Sequence, residues 1–524
     1  MPAPIKGIVA ASLYGDVGAV MPDTAISLYN MVPGEYGVTV RQGSRVFAQG
    51  LLGNDDQPAD VRTVMYYNST VAGGLEDFQF AATDKGIYDI TVGGAGPFPL
   101  VLEWINGGGD AGWCSYLNYT NVAGDHYILL CDELNGYYIF DGAAWAAGTF
   151  TGTPAPLPGD LVQITEWQGR IWFVEKDTAT AWFLDPLALG GDITALDVGS
   201  RFKKGGHLVQ NTSWTLDDAD GMDDKFVMIS SSGDVLVWSG IDPTVATDLS
   251  LEGRWFIGGT PEGRRVMSDW GGDVAIISTM GIVKLSALLR GDNAMNSEAH
   301  ISANITALIR EEMKVTRDRY GWSLEADPSQ SIAVISAPQQ DTSTRPIQFV
   351  INTVTKAWCI FRDLDIRCMD KNINGFFFGT SDGRVMLSDS VADDISLDGL
   401  TAKTIEYSFL THYWHMDQPA IWKRPQFIRP TWLGTSQPAY SIAIQFDFAV
   451  NELPDPPPVA NTGGADWDDA KWDINTWQGD AQRYFETVGL IGMGRHLAIS
   501  CRGRASSALS YVRADLILDS GGNL

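Results

Sequence analysis

A hairpin pattern that recurs along the chain constrains the fold more than any other feature of the sequence. From Lys225, the stretch KFVMISSSGDVLVWSGIDPT has an apolar run, a turn rich in Ser, Gly and Asp, and a second apolar run, which is typical of an antiparallel hairpin. The same pattern begins again at Phe78, His126, Gly169, Gly272, Ser331 and Gly375. The first residues of consecutive hairpins are separated by between just over 40 and just under 60 residues. This spacing is close to the roughly 40–50 residues of a four-stranded propeller blade.

We therefore predict a mainly β fold with a β-propeller of six or seven irregular blades over residues 40–395, in which each hairpin forms half a blade. The alternative is a large β-sandwich or two unrelated β domains, because short strands with Gly-rich turns also suit a sandwich. Between the hairpins, the stretch ISANITALIREEMKVTRDRYG is the one convincing helix, near residues 304–318, because its apolar side chains recur at helical spacing.

The sequence changes character after Ser390. The stretches TIEYSFLTHYW, PQFIRPTWL and YSIAIQFDFAV are typical of strands. They predict an additional, sandwich-like C-terminal β domain over residues 396–524. A long excursion at residues 451–481, rich in Pro, Gly and Asp, interrupts these strands. We expect residues 1–39 to form an N-terminal extended segment.

Composition excludes several classes of protein. A hydrophobic fraction of 45% and 56 glycines among 524 residues indicate a folded, turn-rich chain rather than a disordered one. The net charge of −28 argues against tight binding to duplex nucleic acid, which needs clustered Lys and Arg. Five cysteines without a CxxC pair indicate reduced thiols rather than a disulfide framework or a thiolate metal site. We expect no metal, no cofactor and, without an apolar run of about 18 residues, no membrane insertion.

Two acidic segments are candidate sites. The first holds Asp217, Asp218, Asp220, Asp223 and Asp224, and its spacing does not fit an EF-hand because no Glu occupies the closing position. We interpret it as an acidic surface loop. The second lies in the excursion and contains Asp466, Asp468, Asp469 and Asp473 around Trp467, Trp472 and Trp477. A free linker would not carry three Trp in eleven residues, so we expect these side chains to dock on a neighbouring subunit or another partner.

Two sets of residues carry a resemblance to a known family. Near the N-terminus these are Asn30 after an apolar stretch, then Pro33, Glu35, Gly37, Arg41 and Gly43, with Gly34 separating Pro33 from Glu35. In the centre they are Ser231–Gly233, Gly240–Pro243, Phe256–Gly259 and Gly271–Asp273, followed by Gly281 and Leu285. Through these residues the chain resembles, from about residue 25 to the end, the tail nozzle proteins of short-tailed bacteriophages. These proteins are also called tail tubular protein B, of the packaged-DNA stabilisation type.

The resemblance implies a structural protein of the virion rather than an enzyme. Its subunits would assemble as a ring, expected to hold six copies, below the portal and adaptor. The ring would continue the DNA channel, retain packaged DNA, allow its ejection and hold tail fibres or spikes. Genomic DNA would pass without sequence-specific binding, and the protein would belong to the virion tail after assembly in the host cytoplasm.

An acidic channel wall would keep DNA phosphates from binding, because it offers repulsion instead of cationic contacts. We therefore expect the two acidic segments to face the channel. The basic residues expected at subunit contacts or on the outside are Lys203, Lys204, Arg264 and Arg265.

A carbohydrate-binding or glycan-hydrolysing β-propeller is the alternative function. The stretch SSSGDVLVW has the length of the Asp-box hairpin of sialidase-like propellers, but Ser232 stands where the Asp would be. The chain contains 18 Trp, a residue type that stacks on sugars, although Trp in strands is more often part of a core.

Overall fold

The computed structural model describes residues 1–9, 22–69, 77–121, 123–218, 221–245, 247–290, 299–339, 346–394, 397, 402–459 and 481–520. Before the first blade it has four strands: β1 (Ala25–Tyr29), β2 (Met31–Pro33), β3 (Val38–Val40) and β4 (Gly43–Gln49).

Seven sheets then follow one another along the chain. Blade one has β5 (Thr63–Tyr67), β6 (Phe78–Ala82), β7 (Gly86–Asp89) and β9 (Leu100–Glu103). Between β7 and β9, the short β8 (Gly94–Ala95) leaves this sheet and pairs with β4. Blade two has β10 (Cys114–Thr120), β11 (His126–Asp132), β12 (Gly136–Phe140) and β13 (Trp145–Ala147). Blade three has β14 (Phe150–Thr151), β15 (Leu161–Trp167), β16 (Arg170–Glu175), β17 (Thr180–Leu184) and β18 (Gly191–Asp197). Blade four has β19 (Leu208–Asp218), β20 (Gly221–Ser230), β21 (Asp234–Gly240) and β22 (Leu249–Phe256).

Blade five is three-stranded, with β23 (Met267–Asp269), β24 (Val274–Ser278) and β25 (Gly281–Lys284). The helices α1 (Leu285–Leu289) and α2 (Thr306–Thr316) follow it, and α2 confirms the helix predicted near residues 304–318. Blade six has β26 (Ser323–Asp327), β27 (Ile332–Ala337), β28 (Ile347–Asn352) and β29 (Trp358–Phe361). Blade seven has β30 (Cys368–Asn372), β31 (Gly375–Gly379) and β32 (Arg384–Ser390), completed by β4 and β8.

The seven sheets close into a ring. The innermost strands contact one another in the order β5, β10, β15 and β19, and again in the order β23, β26, β30 and back to β5. Between β19 and β23, the Gln210 amide donates to the Met267 carbonyl at 3.0 Å and accepts from the Met267 N–H at 2.8 Å. The N-terminal β4 pairs with β32 and so completes the last blade. The fold is therefore a mainly β protein with a seven-bladed β-propeller, as the hairpins predicted.

Aromatic side chains fill the spaces between blades. Trp167 and Trp172 of blade three pack on Phe226 of blade four, with ring centroids 5.0 and 4.5 Å apart. All three side chains are buried. Such pairs stabilise a core by about 0.5–1.5 kcal/mol beyond the area they bury. These two Trp therefore belong to the core and are not exposed for a ligand.

The C-terminal part is a sandwich of two sheets. Its strands are β33 (Asp393–Asp394), β34 (Ala402–Lys403), β35 (Ile405–Thr411), β36 (Lys423–Gly434), β37 (Ala439–Phe446), β38 (Gln482–Phe485), β39 (Val488–Gly489), β40 (Leu497–Ala505) and β41 (Leu509–Ser520). One layer contains β1, β35, β40 and β37, and the other contains β2, β3, β41, β36 and β38. Between the layers, Tyr407 packs on Trp432 and Phe409 on Tyr511, with centroids 5.7 and 4.8 Å apart.

The N-terminal strands join the propeller to the sandwich. Strand β1 pairs in parallel with β29 of blade six and antiparallel with β35 of the sandwich, so that one eight-stranded sheet runs through both parts. Strands β2 and β3 belong to the opposite layer. The later part of the expected extended segment, from Ala25 onward, thus contributes β1, β2 and β3 to the sandwich.

Candidate functional site

A basic side chain crosses the axis of the propeller. Arg265 precedes β23 in blade five, and its guanidinium donates to Thr63 Oγ1 at 2.6 Å and to the Cys114 carbonyl at 2.8 Å. Thr63 and Cys114 begin the innermost strands of blades one and two, on the other side of the ring. The Arg265 side chain therefore obstructs the central axis of the propeller at the end where the innermost strands of blades one and two begin.

The adjacent Arg264 is also an internal residue. Its guanidinium donates to both carboxylate oxygens of Glu133 at 3.1 and 3.0 Å, and Glu133 is 1% exposed. The expectation that Arg264 and Arg265 point to subunit contacts or the outside is therefore wrong. The sequence shows two adjacent Arg residues in blade five. It does not show that residues of blades one and two lie across the axis and accept their hydrogen bonds. Lys203 and Lys204 are exposed.

Two carboxyl groups lie beside Arg265 in the interior. Asp370 on β30 accepts a hydrogen bond from the Tyr116 hydroxyl on β10. Burial raises the pKa of Asp370, and it also raises the pKa of Glu325 on the neighbouring β26 to about 8, with the negative charge of Asp370 as the second cause. The positive charge of Arg265 lowers the pKa of both groups. At neutral pH Glu325 is thus mainly a neutral carboxylic acid.

Glu325 lines a cleft between blades five and six. The cleft has a volume of about 820 Å³, and its wall includes Trp270, Lys284, Arg290, Lys356 and Lys371. We call this opening the blade five–six cleft. A large cavity with convergent polar groups and a carboxyl of strongly raised pKa is the first place to look for a binding site.

The basic residues of the cleft are held by neutral partners. The Lys356 ammonium donates to the Thr353 carbonyl at 2.6 Å and lies 5.9 Å from the centre of the Trp270 ring. Arg290 donates to the Ser286 carbonyl and hydroxyl, each at 3.4 Å. Within the described parts of the chain, no carboxylate forms an ion pair with Lys284, Arg290 or Lys356. Lys371 is the exception, 3.5 Å from Asp327.

The residues of the N-terminal resemblance meet at the joint between propeller and sandwich. The Asn30 side-chain amide donates to the Glu406 carbonyl of β35 at 2.7 Å, and its oxygen accepts from Arg41 Nε at 3.3 Å and from the Arg362 N–H at 2.9 Å. Arg41 donates to the two carboxylate oxygens of Asp393 at 2.9 and 2.5 Å. Asn30 has a φ of 55°, a conformation that Asn adopts more readily than most residues.

Two glycines of the resemblance, Gly43 and Gly233, stand where the backbone leaves no room for a side chain. A Cβ on Gly43 would lie 2.1 Å from the Ala392 carbonyl oxygen. In the centre, Gly233 has a φ of 91°, and a Cβ there would lie 1.8 Å from the Gly258 carbonyl oxygen. The Ser231–Gly233 turn is therefore packed directly on the Phe256–Gly259 segment.

The first acidic segment is a hairpin rather than the surface loop we interpreted. Asp217 and Asp218 end β19, and Asp223 and Asp224 lie in β20, with Asp217 opposite Met222. Asp220 lies outside the described residues. Whether the hairpin faces a channel stays a prediction.

The second acidic segment lies outside the described residues. This applies to Asp466, Asp468, Asp469, Asp473, Trp467, Trp472 and Trp477. Their assignment to a channel wall and to partner docking stays a prediction.

The part of the chain that the structure describes holds neither a cluster of metal ligands nor a membrane-spanning helix. There, no group of three or more His, Cys, Asp and Glu side chains is arranged to hold a metal ion. No helix in the same residues has the length and apolar character to cross a membrane. The five cysteines are buried and unpaired.

Comparison with known proteins gives similarity at the level of solved structures. No protein-family model matches the chain, and no curated protein matches it. The chain is similar to the BBS1N chain of a complex with ARL6DN in a crystal soaked with lead, at 9% identity over 68% of this chain and 99% of that one, with a TM-score of 0.36. It is also similar to YCF48 bound to D1 peptide, at 11% identity over 64% of this chain and 93% of that one, with a TM-score of 0.36. The propeller assignment rests on the strand topology.

Proposed function

We propose that this chain is a subunit of the tail nozzle of a short-tailed bacteriophage, a structural protein of the virion. Six copies form a ring below the portal and adaptor. The ring continues the DNA channel, retains packaged DNA and lets it pass at ejection, and tail fibres or spikes attach to it. The protein is assembled in the host cytoplasm and remains in the virion tail.

The joint between propeller and sandwich is the observation that carries this proposal. Asn30, Arg41 and Gly43, through which the N-terminal segment resembles the nozzle family, all lie in this joint. Each makes a contact that depends on its own chemistry. The Asn30 amide donates and accepts hydrogen bonds, the Arg41 guanidinium binds a carboxylate in a bidentate manner, and Gly43 has no Cβ that would clash with the backbone. Residues that meet at one structural point support a resemblance of folds more strongly than matches scattered over a surface would.

The closed axis of the propeller supports a channel between subunits. Arg265 and the bond from Tyr116 to Asp370 occupy the interior of the ring of blades. DNA therefore has no path through the propeller of one subunit at this level. A DNA channel then requires several copies around a common axis, as in the proposed ring.

Electron microscopy of the purified protein and of the virion tests the proposal. We expect class averages of a closed ring of six subunits with a central hole. A monodisperse monomer that cleaves glycans would contradict the proposal and favour the alternative function.

Deletion of residues 455–479 tests partner docking by the excursion. We expect the subunit to remain folded, because the described strands of the sandwich lie outside the deleted range, and to lose ring assembly together with its three Trp. Circular dichroism checks the fold and size-exclusion chromatography checks the assembly. Unchanged ring formation would refute the docking role.

Replacement of the five Asp between residues 217 and 224 by Asn tests the acidic wall. DNA phosphates bind where cations replace their counterions, and a carboxylate wall prevents this within about 8 Å at physiological salt. We expect intact particles whose DNA ejection is slowed or incomplete. Normal ejection kinetics, together with an outward position of the hairpin in the ring, would contradict a role in the channel.

A further inference from the structure

We propose that the blade five–six cleft binds an acidic sugar, that is, an oligosaccharide that carries carboxylate groups. Lys284, Arg290 and Lys356 would contact the carboxylates, and the Trp270 ring would pack on a sugar face. This inference goes beyond the proposed nozzle function and does not depend on it.

The size of the cleft suits a short oligosaccharide. Its volume of about 820 Å³ lies within the roughly 300–1,000 Å³ typical of small-molecule sites. It lies between two blades, and its wall is built from strands, from the short helix α1 and from turns that begin or end at strands. A site held by such elements is largely formed before the ligand arrives.

The charge of the cleft indicates an anionic ligand. The chain as a whole has a net charge of −28, yet four basic side chains line this cleft against the carboxyl groups of Asp269, Asp273 and Glu325. Three of the four, Lys284, Arg290 and Lys356, form no ion pair with a carboxylate among the described residues. Surface charges act over about 8 Å at physiological salt, so these cations attract an anion despite the acidic remainder of the protein. Hydrogen bonds from charged donors to a carboxylate are also stronger than bonds between neutral groups.

The acidic groups of the same cleft favour a sugar over an acidic peptide. Asp269 lines the cleft and is exposed, and its carboxylate makes no hydrogen bond or ion pair to any side chain or backbone group that the structure describes. This carboxylate repels the carboxylates of either ligand, but it accepts hydrogen bonds from the hydroxyls of a sugar, which the side chains of an acidic peptide do not offer. The raised pKa of Glu325 gives the cleft a carboxylic acid that can donate as well as accept. A ligand with both hydroxyl donors and carboxylates fits this mixture.

Isothermal titration of the full chain with galacturonate tetrasaccharide tests the proposal. We expect binding that the neutral galactose tetrasaccharide does not reproduce. We also expect at least a tenfold loss of affinity in the double variant Lys284→Gln/Lys356→Gln. The matched control is Lys314→Gln on α2, which removes an exposed Lys outside the cleft and should leave the affinity unchanged. Absence of binding to the charged sugar, or equal binding by the double variant and the control, would overturn the proposal.

The variant Asp269→Ala separates a sugar site from a peptide site. If the cleft binds acidic sugars, this variant weakens binding of the tetrasaccharide, because the lost hydrogen bonds from sugar hydroxyls to Asp269 outweigh the relief of repulsion between Asp269 and the sugar carboxylates. If it binds acidic peptides, the variant strengthens binding of a tetra-aspartate peptide because a repulsive charge is lost, and the unaltered chain then prefers the peptide to the sugar. The second result would overturn the proposal, as would binding of inorganic phosphate that competes fully with the sugar. Thermal unfolding of each variant confirms that it is folded.

Discussion

Replacement of Arg41 by methionine is expected to destabilise the protein by about 3–5 kcal/mol, the usual cost of leaving one partner of a buried ion pair without the other. The Arg41 side chain is 2% exposed and that of Asp393 is 14% exposed. Methionine keeps the apolar stem but leaves the Asp393 carboxylate and the Asn30 side-chain oxygen without their cationic donor. Urea unfolding measures the loss, and hydrogen exchange of β1 and β35 localises it to the joint.

Arg45 provides a matched control four residues along the same segment. Its guanidinium donates to Asp389 at 2.9 Å, but the two side chains are 52% and 41% exposed. Such a pair contributes about 0–1 kcal/mol, so Arg45→Met should have a small effect. The double variant Arg41→Met/Asp393→Leu should recover part of the lost stability, because it also removes the unpaired carboxylate. Equal losses for Arg41→Met and Arg45→Met would contradict a special role of the joint.

The propeller could be predicted because its most informative signals are local. The second and third strands of each blade are the seven hairpins of the sequence, and short turns join them in every blade except blade six. In blade four, Phe226–Ile229 and Val235–Trp238 pair directly, and both runs are buried on both faces between neighbouring blades. A short, continuous apolar run that is followed by a Gly turn and a second apolar run therefore predicts both a strand and the strand that pairs with it.

Strands with distant partners could not be predicted in this way. Strand β4 pairs with β32 at the other end of the propeller, as the contact between Arg45 and Asp389 across 344 positions shows. Strand β1 lies between β29 and β35, and its sequence AISLY does not indicate which strands pair with it. The joint between propeller and sandwich was therefore not predicted, although two of its residues, Asn30 and Arg41, belong to the family resemblance.

The blade five–six cleft escaped prediction for the same physical reason. Its residues come from separate elements: Lys284 ends β25, Lys356 lies in the turn before β29, and Glu325 lies in β26. Each is a single charged residue in an ordinary strand or turn sequence. Only the packing of blades five and six brings them together, and burial, with the negative charge of Asp370 as the second cause, raises the pKa of Glu325.

Replacement of Glu325 by glutamine is expected to stabilise the protein in alkaline solution but not in acid. Burial raises the pKa of Glu325 from its ordinary 4.5 to about 8, so the folded state holds a proton that the unfolded state has released between these pH values. Stability therefore falls as the pH rises through this window, and the full cost is present above pH 8. Since each pKa unit corresponds to about 1.4 kcal/mol, the cost amounts to several kcal/mol, and glutamine, which does not ionise, avoids it.

The measurement is the difference in thermal stability between the Glu325→Gln variant and the unaltered chain at pH 5 and at pH 9. We expect a small difference at pH 5 and a clear gain for the variant at pH 9. Asp370, Asp269, Asp327 and Arg265 surround this carboxyl and are present in both proteins, so the difference isolates Glu325. The control Glu311→Gln changes a side chain that is 71% exposed and should shift stability by less than about 0.5 kcal/mol at either pH. A gain that is equal at pH 5 and pH 9 would instead indicate better packing of glutamine, and it would contradict the neutral carboxylic acid that the cleft is inferred to contain.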